Sequence, residues 1–402
     1  MRTTFPRYTL LAIAAIAAAC SDQPSTAPIT APPLFNAKTF ASLSGVWKDS
    51  VIGTTDSGAL YGLYMPANWN GDVVYYAHGF IAPAAPIVLP PGDDAVPIRD
   101  ALGPLGFAVA YSTFSQNGYD FKDGMQRTHQ LRKLFANKFG KPRRSFLLGE
   151  SLGGQIVQAI AEEDGKQYDG VLALCGVLGG TKLEVDYIGQ IRTVFDFFYP
   201  GVLPGTTILM PPITDLNAQI IIPAYTAIQT NPNGFGAIAQ IDQTLLAGRN
   251  APEMVTTLLN VLGYQALAAN DLMGRTHGHS LFDNRRTTYT SAALPPSLMT
   301  ALNGAVTRYT GSEFAEEWLE ENYQPSGKLR IPMLTLHKRF DRLVPFRHEA
   351  AYKQIVDRAG NTANLRQRTV EDYGHCDFGT DVAIANFQDL VKWVATGTPP
   401  AP

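Results

Sequence analysis

The pentapeptide Gly149–Gly153 has the sequence Gly-Glu-Ser-Leu-Gly, and it limits the folds open to this chain more than the other segments do. It follows the apolar run Phe146–Leu148 and precedes residues 155–163, whose apolar positions recur at helical spacing. A strand that turns directly into a helix needs glycines two residues before and two after its central residue, because side chains there would meet the crossing backbone. The pattern therefore predicts a tight turn that presents the Ser151 hydroxyl at the edge of a sheet.

The composition is typical of a globular protein that buries a large core, with 402 residues, 45% of them hydrophobic and 17% charged. The formal net charge is −3, and no basic stripe with interleaved aromatic residues is present. Such a chain is too acidic for a general nucleic-acid binder, so we expect no nucleic-acid partner.

The first residues have the pattern of an export signal. Arg2 and Arg7 precede the apolar run Leu10–Ala19, which is too short to span a bilayer. The run ends in three alanines and Cys20, as in a bacterial lipobox. We therefore predict a lipoprotein signal peptide at residues 1–19, lipidation of Cys20 and export to the cell envelope, with the outer membrane as the expected site. Ordinary signal cleavage with secretion is the alternative.

The chain has low-complexity segments near both ends. Residues 20–40 are rich in Pro, Ser, Thr and Ala and are predicted to form a disordered tether, and residues 397–402 a disordered tail. The only membrane contact that we expect is the lipid at Cys20.

Between these ends, apolar runs alternate with helical patterns. Five runs have the composition of buried strands: 73–77, 107–111, 146–148, 171–174 and 331–336. A sixth, more polar strand is predicted near 365–370. Helices are predicted at 122–139, after the pentapeptide, at 347–357 and at 382–395. This alternation predicts an α/β fold with a doubly wound, mostly parallel sheet.

Residues 176–329 interrupt the alternation with helical patterns and aromatic segments. About 150 residues are far more than an ordinary connection between two strands needs. We predict a mostly helical cap at 176–329, inserted into a catalytic domain that comprises residues 41–175 and 330–396. The apolar cap residues are expected to pack on the main domain, and some could line an acyl pocket.

A serine attacks a carbonyl at neutral pH only with the help of a base and of an acid that orients the base. His375 stands between the last predicted strand and the last predicted helix, and Asp341 follows the strand that ends at Leu336. These positions are carboxyl ends of strands, where open α/β sheets bind ligands. The sequence predicts a triad of Ser151, Asp341 and His375, with Asp372 as the alternative acid.

Other polar residues have simpler interpretations. His277 and His279 have a chelating spacing, but no acidic or cysteine partner is close in sequence, so we expect no metal site. No phosphate loop or dinucleotide fingerprint occurs in the right context, and no cofactor is expected. His337 is expected to support the loop of Asp341. Glu150 is expected to have a buried charge partner or a plain loop role, with electrostatic tuning of the site as the alternative. Two histidines are predicted to lie in polar helices without partners: His129 and His348.

In these features the chain resembles the α/β-hydrolase superfamily, in particular secreted bacterial serine carboxylesterases. The resemblance covers about residues 45–396 and rests on these segments: Met65–Gly71, His78-Gly79, Gly149–Gly154, Asp341 with Val344-Pro345, and Gly374–Cys376. It implies the α/β-hydrolase fold and hydrolysis of small or polymeric esters through an acyl-enzyme. Some similar enzymes hydrolyse polyesters such as polylactide, so polyester cleavage is a further implication.

The turn Ala77–Phe80 resembles the His-Gly turn that supplies one oxyanion donor in this superfamily. We assign the oxyanion donors to the backbone N–H groups of Phe80 and Leu152, and expect His78 to brace the turn.

Two other functions remain open. The first is that of an exported prolyl-type peptidase, since such peptidases share the fold and triad. A peptidase of this kind would need a group that binds a free amine, and Glu316-Glu317 is a candidate that also fits a solvated helix face. The second is that of a surface lipoprotein that binds its partner without catalysis.

Two cysteines remain if Cys20 is lipidated. Cys175 ends a predicted strand and Cys376 follows the predicted base, so both should lie near the same edge of the sheet. Export would allow a disulfide between them to persist. Two separate buried thiols are the alternative.

Overall fold

The computed structural model describes residues 46–92 and 95–401. The predicted signal peptide, the lipidation of Cys20 and the tether to residue 40 lie outside the described residues. Among the residues that are described, no helix is long and apolar enough to cross a membrane.

Eight strands form one sheet in the order β1-β2-β4-β3-β5-β6-β7-β8. Strands β1 and β2 are antiparallel to each other, β2 is antiparallel to β4, and the remaining pairs are parallel. The strands are β1 Trp47–Thr54, β2 Leu60–Pro66, β3 Asp72–Ala77, β4 Ala108–Ser112, β5 Arg144–Glu150, β6 Gly170–Leu174, β7 Met333–Phe340 and β8 Leu365–Tyr373.

Eleven α-helices occur among the described residues. Those that alternate with the strands are α1 Ala95–Leu102, α2 Phe121–Phe139, α3 Leu152–Glu163, α10 Arg347–Arg358 and α11 Thr380–Thr396. Those between β6 and β7 are α4 Thr181–Phe198, α5 Ile222–Thr230, α6 Pro232–Ile238, α7 Ala251–Arg275, α8 Pro296–Ala305 and α9 Glu313–Asn322.

The sheet is covered by helices on both faces. Every residue of β3 is buried, and alternate side chains enter two different cores. Val73 and Tyr75 pack in the core that includes residues of α2 and α3, whereas Val74 and Tyr76 pack in the core that includes residues of α1 and α11. Burial on both faces explains why the inner strands are nearly continuous apolar runs.

The segment between β6 and β7 has its own apolar core. Helices α4 and α7 contribute more buried residues to this core than the other helices do, with Ile191, Phe195, Leu258 and Leu262 among its fully buried members. After α11, the Ala401 carbonyl accepts a hydrogen bond from Arg368 Nε.

The predicted fold class is confirmed, including the helical insertion, and each of the six predicted strands is present with bounds that differ by a few residues. Strands β1 and β2 and helix α1 were not predicted. Strand β1 is mostly exposed or half-buried, because it lies at the antiparallel edge of the sheet and lacks the apolar run of an inner strand.

Candidate active site

Ser151 stands at a sharp turn between β5 and α3, with a backbone φ of 55°. A Cβ on Gly149 would lie 2.2 Å from the Gly153 carbonyl oxygen, and a Cβ on Gly153 would lie 2.0 Å from the Ala77 carbonyl oxygen. Both separations are impossible for real atoms, so only glycine allows α3 to begin this close to β3 and β5. The left-handed backbone of Ser151 is the strained conformation that such a turn requires.

Three side chains from different loops meet at this turn. His375 Nε2 lies 3.0 Å from Ser151 Oγ, and His375 Nδ1 lies 2.9 Å from Asp341 Oδ2. Asp341 follows β7 and His375 follows β8, so both loops leave the same edge of the sheet as the Ser151 turn. The structure thus brings together the three residues that the sequence predicted as a triad.

The Asp341 carboxylate is completely buried and held from several directions. Its Oδ1 accepts hydrogen bonds from the backbone N–H groups of Leu343 and Val344, each at 2.9 Å. Burial opposes ionisation of Asp341, but the nearby His375 and His337 outweigh it and hold the pKa of the carboxyl well below its ordinary value.

The alternative acid, Asp372, lies elsewhere. Its carboxylate accepts hydrogen bonds from Lys338 Nζ at 3.0 Å and from Arg249 Nη1 at 2.9 Å. Asp341, rather than Asp372, is therefore the carboxylate that contacts His375.

The turn after β3 lies against the serine. A Cβ on Gly79 would be 3.3 Å from Ser151 Cβ, so the backbone that leads to the Phe80 N–H passes close to Ser151. Leu152 is the first residue of α3, and its N–H belongs to the first turn, where helix N–H groups have no partner within the helix. These are the two amides that the sequence assigned to the oxyanion.

His78 is buried beneath this turn. Its ring stacks on Phe114 with centroids 3.9 Å apart, and its Nδ1 lies 2.7 Å from the Gly79 carbonyl oxygen. Burial lowers the pKa of His78 to about 4, so the ring is neutral at neutral pH. These contacts fit a residue that braces the turn.

A disulfide joins Cys175, directly after β6, to Cys376, directly after His375. Both cysteines have a positive φ, 46° and 58°, at sharp turns on the edge of the sheet. The Cys376 sulfur lies 3.5 Å from His375 Nε2. The bond therefore ties the histidine loop to the end of a central strand.

An apolar cavity lies between α4 and α7. Its space of about 60 Å³ exceeds the roughly 10–15 Å³ that one water molecule needs. Tyr264, in its wall, packs edge-on against Phe80 with ring centroids 4.8 Å apart. Tyr119, also in its wall, donates a hydrogen bond to Gln155 of α3. Two wall residues thus contact the elements that flank Ser151.

Two sequence predictions about histidines are wrong. His348 is buried, and its Nε2 lies 3.0 Å from Glu184 Oε2, while its Nδ1 accepts a hydrogen bond from the Gly179 N–H. His129 Nδ1 lies 3.1 Å from the Tyr168 hydroxyl. Their partners are distant in sequence, and no local pattern could have indicated them.

Other candidate residues lie outside this cluster. His279 Nδ1 bonds with the Ser312 hydroxyl at 2.9 Å, and the rings of His277 and His279 contact Phe314. Glu150 is buried and accepts a hydrogen bond from the Tyr76 hydroxyl at 3.0 Å. The remaining pair is exposed on helix α9: Glu316 and Glu317.

Among the described residues, one group of three side chains has potential metal-binding atoms within 4.8 Å of one another: Cys175, His375 and Cys376. Its two sulfurs are bonded to each other.

No protein-family model matches this sequence, and no curated protein matches it. Solved structures do. The Pyrococcus furiosus esterase Pf2001 is 11% identical, with 90% of this chain and 95% of that one covered and a TM-score of 0.44. Feruloyl esterase B from Aspergillus oryzae is 13% identical, with coverages of 87% and 80% and a TM-score of 0.49. Est1E from Butyrivibrio proteoclasticus is 13% identical, with coverages of 86% and 99% and a TM-score of 0.40.

At sequence identities this low, the activities of those proteins are not assigned to this chain. The strand order, with a glycine-flanked serine after β5, an aspartate after β7 and a histidine after β8, identifies the architecture. The chain has the α/β-hydrolase fold.

Proposed function

We propose that this protein is a serine hydrolase that cleaves carboxylic esters, with Ser151 as nucleophile, His375 as base and Asp341 as the acid that orients it. The observation that carries the proposal is the continuous chain of contacts from Asp341 through both ring nitrogens of His375 to Ser151 Oγ, at 2.9 and 3.0 Å. Serine hydrolases need such a chain to transfer the serine proton.

The proposed reaction has two halves. His375 Nε2 takes the proton of Ser151 Oγ as the oxygen attacks the ester carbonyl, and the Phe80 and Leu152 amides hold the oxyanion. The tetrahedral intermediate then expels the alcohol, which receives the proton from His375, and an acyl-enzyme remains. A water molecule gives its proton to His375 and attacks the acyl group, and Ser151 recovers its proton when the acid leaves.

The apolar cavity between α4 and α7 supports a substrate with an apolar acyl group. A fluorophosphonate probe and a panel of p-nitrophenyl esters, aminoacyl-proline amides and emulsified polyesters test the proposal on wild type and Ser151→Ala. We expect wild type to be labelled and to hydrolyse esters, and Ser151→Ala to do neither. An unlabelled wild type would instead favour the non-catalytic binding protein.

The same panel separates ester from peptide hydrolysis. Faster turnover of the amides than of every ester would favour a prolyl-type peptidase and overturn the ester proposal. The exposed position of Glu316 and Glu317 on α9 does not support an amine-binding role for this pair. Hydrolysis of the polyester emulsions tests whether polymeric esters belong to the substrate range.

We further propose that the protein is exported and anchored in the cell envelope by a lipid on Cys20. The lipobox-like Ala17–Cys20 sequence supports this proposal. Cys20→Ser should move the full-length protein from the membrane fraction to the soluble fraction of the cell envelope. An unchanged distribution would contradict the anchor.

A further inference from the structure

A second histidine contacts the carboxylate that orients His375. The side chain of His337 is completely buried, and its Nε2 lies 3.4 Å from Asp341 Oδ2. The same nitrogen lies 2.9 Å from the Val344 carbonyl oxygen, which can only accept a hydrogen bond. His337 Nε2 therefore carries a proton, and it ties the loop of Asp341 to the end of β7.

The other ring nitrogen of His337 faces a second carboxylate. Its Nδ1 lies 3.3 Å from Glu349 Oε1. The second oxygen of Glu349 accepts hydrogen bonds from the Thr335 hydroxyl at 2.7 Å and the Gln367 amide at 2.5 Å, as expected of a carboxylate. A bare imidazole nitrogen would repel Glu349 Oε1, whereas a protonated nitrogen is attracted to it.

This geometry favours the imidazolium form of His337. Burial opposes the charge, but the bonds and charges of Asp341 and Glu349 outweigh burial and raise the pKa of His337 to about 10. A continuous line of contacts thus runs from Glu349 through His337, Asp341 and His375 to Ser151.

The remaining titratable groups around this line are few. Burial raises the pKa of Glu184, on α4, to about 8 and lowers the pKa of His348, on α10, to about 3. Both are therefore largely uncharged at neutral pH. Arg347, also on α10, is exposed and lies over the Tyr187 ring.

Asp341 contacts His375, and Glu349 lies on the far side of His337. Negative charge on both carboxylates would favour the protonated form of His375, which cannot accept the Ser151 proton. The positive charge of His337 compensates one of them. Resting on the proposed function, we infer that His337 is a positioning residue which, as a buried cation between Asp341 and Glu349, keeps His375 free to act as a base at neutral pH.

The variant His337→Gln tests this role, because the amide can still donate to the Val344 carbonyl but carries no charge. We expect the acid limb of the kcat/KM profile for p-nitrophenyl acetate to move up by about one pH unit. The matched control is His348→Gln, the same replacement at a buried but neutral histidine. Its acid limb should stay within about 0.2 pH unit of wild type.

The protonation of His337 is measured separately, by ¹⁵N NMR of the wild-type imidazoles at about pH 7.5, where both His337 nitrogens should carry protons. A neutral His337 ring would overturn this inference and leave the proposed function standing. The same conclusion would follow if the acid limb of the kcat/KM profile moved equally in both variants or in neither. A wild type that neither hydrolyses the ester nor reacts with the fluorophosphonate would overturn the proposed function, and this inference with it.

Discussion

Cys175 and Cys376 are bonded across 201 positions of sequence, and the bond fixes the residue next to His375 to the end of β6. A cross-link that closes a loop this long stabilises a fold by about 2–4 kcal/mol, mainly because it restricts the unfolded chain. The same bond limits the movement of the His375 loop relative to the sheet.

Replacement of both cysteines, Cys175→Ser with Cys376→Ser, should therefore lower the free energy of unfolding by about 2–4 kcal/mol. It should also reduce kcat, because His375 is held less firmly against Ser151. Urea unfolding and ester hydrolysis measure the two effects, and wild type reduced with dithiothreitol is the control that should behave alike. An unchanged urea midpoint would contradict this stabilising role.

The choice between two aspartates as the acid can be tested with matched variants. Asp341→Asn should lower kcat by about 10⁴, because the amide no longer holds the His375 ring in the tautomer that accepts the serine proton. Asp372→Asn removes a half-exposed carboxylate that contacts the exposed Arg249 and the buried Lys338. The pair with Arg249 contributes little, and Lys338 keeps Asp377 as a partner at 2.9 Å. The kcat of Asp372→Asn should stay within about threefold of wild type, and a comparable loss in both variants would refute the assignment of Asp341.

The raised pKa of His337 predicts how stability depends on pH. A histidine that binds its proton more tightly in the folded state stabilises the fold fully below its unfolded pKa of about 6.5 and not at all above its folded pKa of about 10. The advantage of wild type over His337→Gln in unfolding free energy should therefore shrink between about pH 7 and 10, by at most about 1.4 kcal/mol per pH unit.

Urea unfolding at several pH values measures this advantage. The advantage of wild type over His348→Gln should change less over the same range, because the folded pKa of His348, about 3, leaves it neutral there, although its partner Glu184 titrates near pH 8. A constant advantage of wild type over His337→Gln would show that the His337 ring is uncharged in the folded protein.

The cavity between α4 and α7 predicts a selectivity change. Ala268, from α7, is buried in its wall, and Ala268→Leu would fill part of the space. We expect kcat/KM for p-nitrophenyl octanoate to fall about tenfold relative to the acetate. Ala301→Leu, on the exposed face of α8, is the matched control and should leave the ratio unchanged. An unaltered ratio for Ala268→Leu would place the acyl group elsewhere.

Much of the candidate active site has local signals in the chain. The inner strands are continuous apolar runs because both of their faces are buried, and Gly149 and Gly153 are required by close backbone contacts around Ser151. Asp341 and His375 follow strands in an order that suits one edge of a parallel sheet. These features were predictable because each depends on a few neighbouring residues.

Strand β1 was missed for the opposite reason, since it lies at the antiparallel edge of the sheet and its residues are exposed or half-buried. Strand β2 is mostly buried, but Gly62 and Pro66 interrupt its apolar run. The pairing of His348 with Glu184 was also missed, because 164 positions separate the two residues.

Sequence alone thus established the architecture and the three candidate residues, through burial periodicity, glycine sterics and strand order. The tertiary structure decided which carboxylate reaches His375, that Cys175 and Cys376 bond, that His337 lies between two carboxylates and where an apolar cavity opens. Each of these depends on distances between segments far apart in the chain, and such distances are set only when the sheet and its helices pack together.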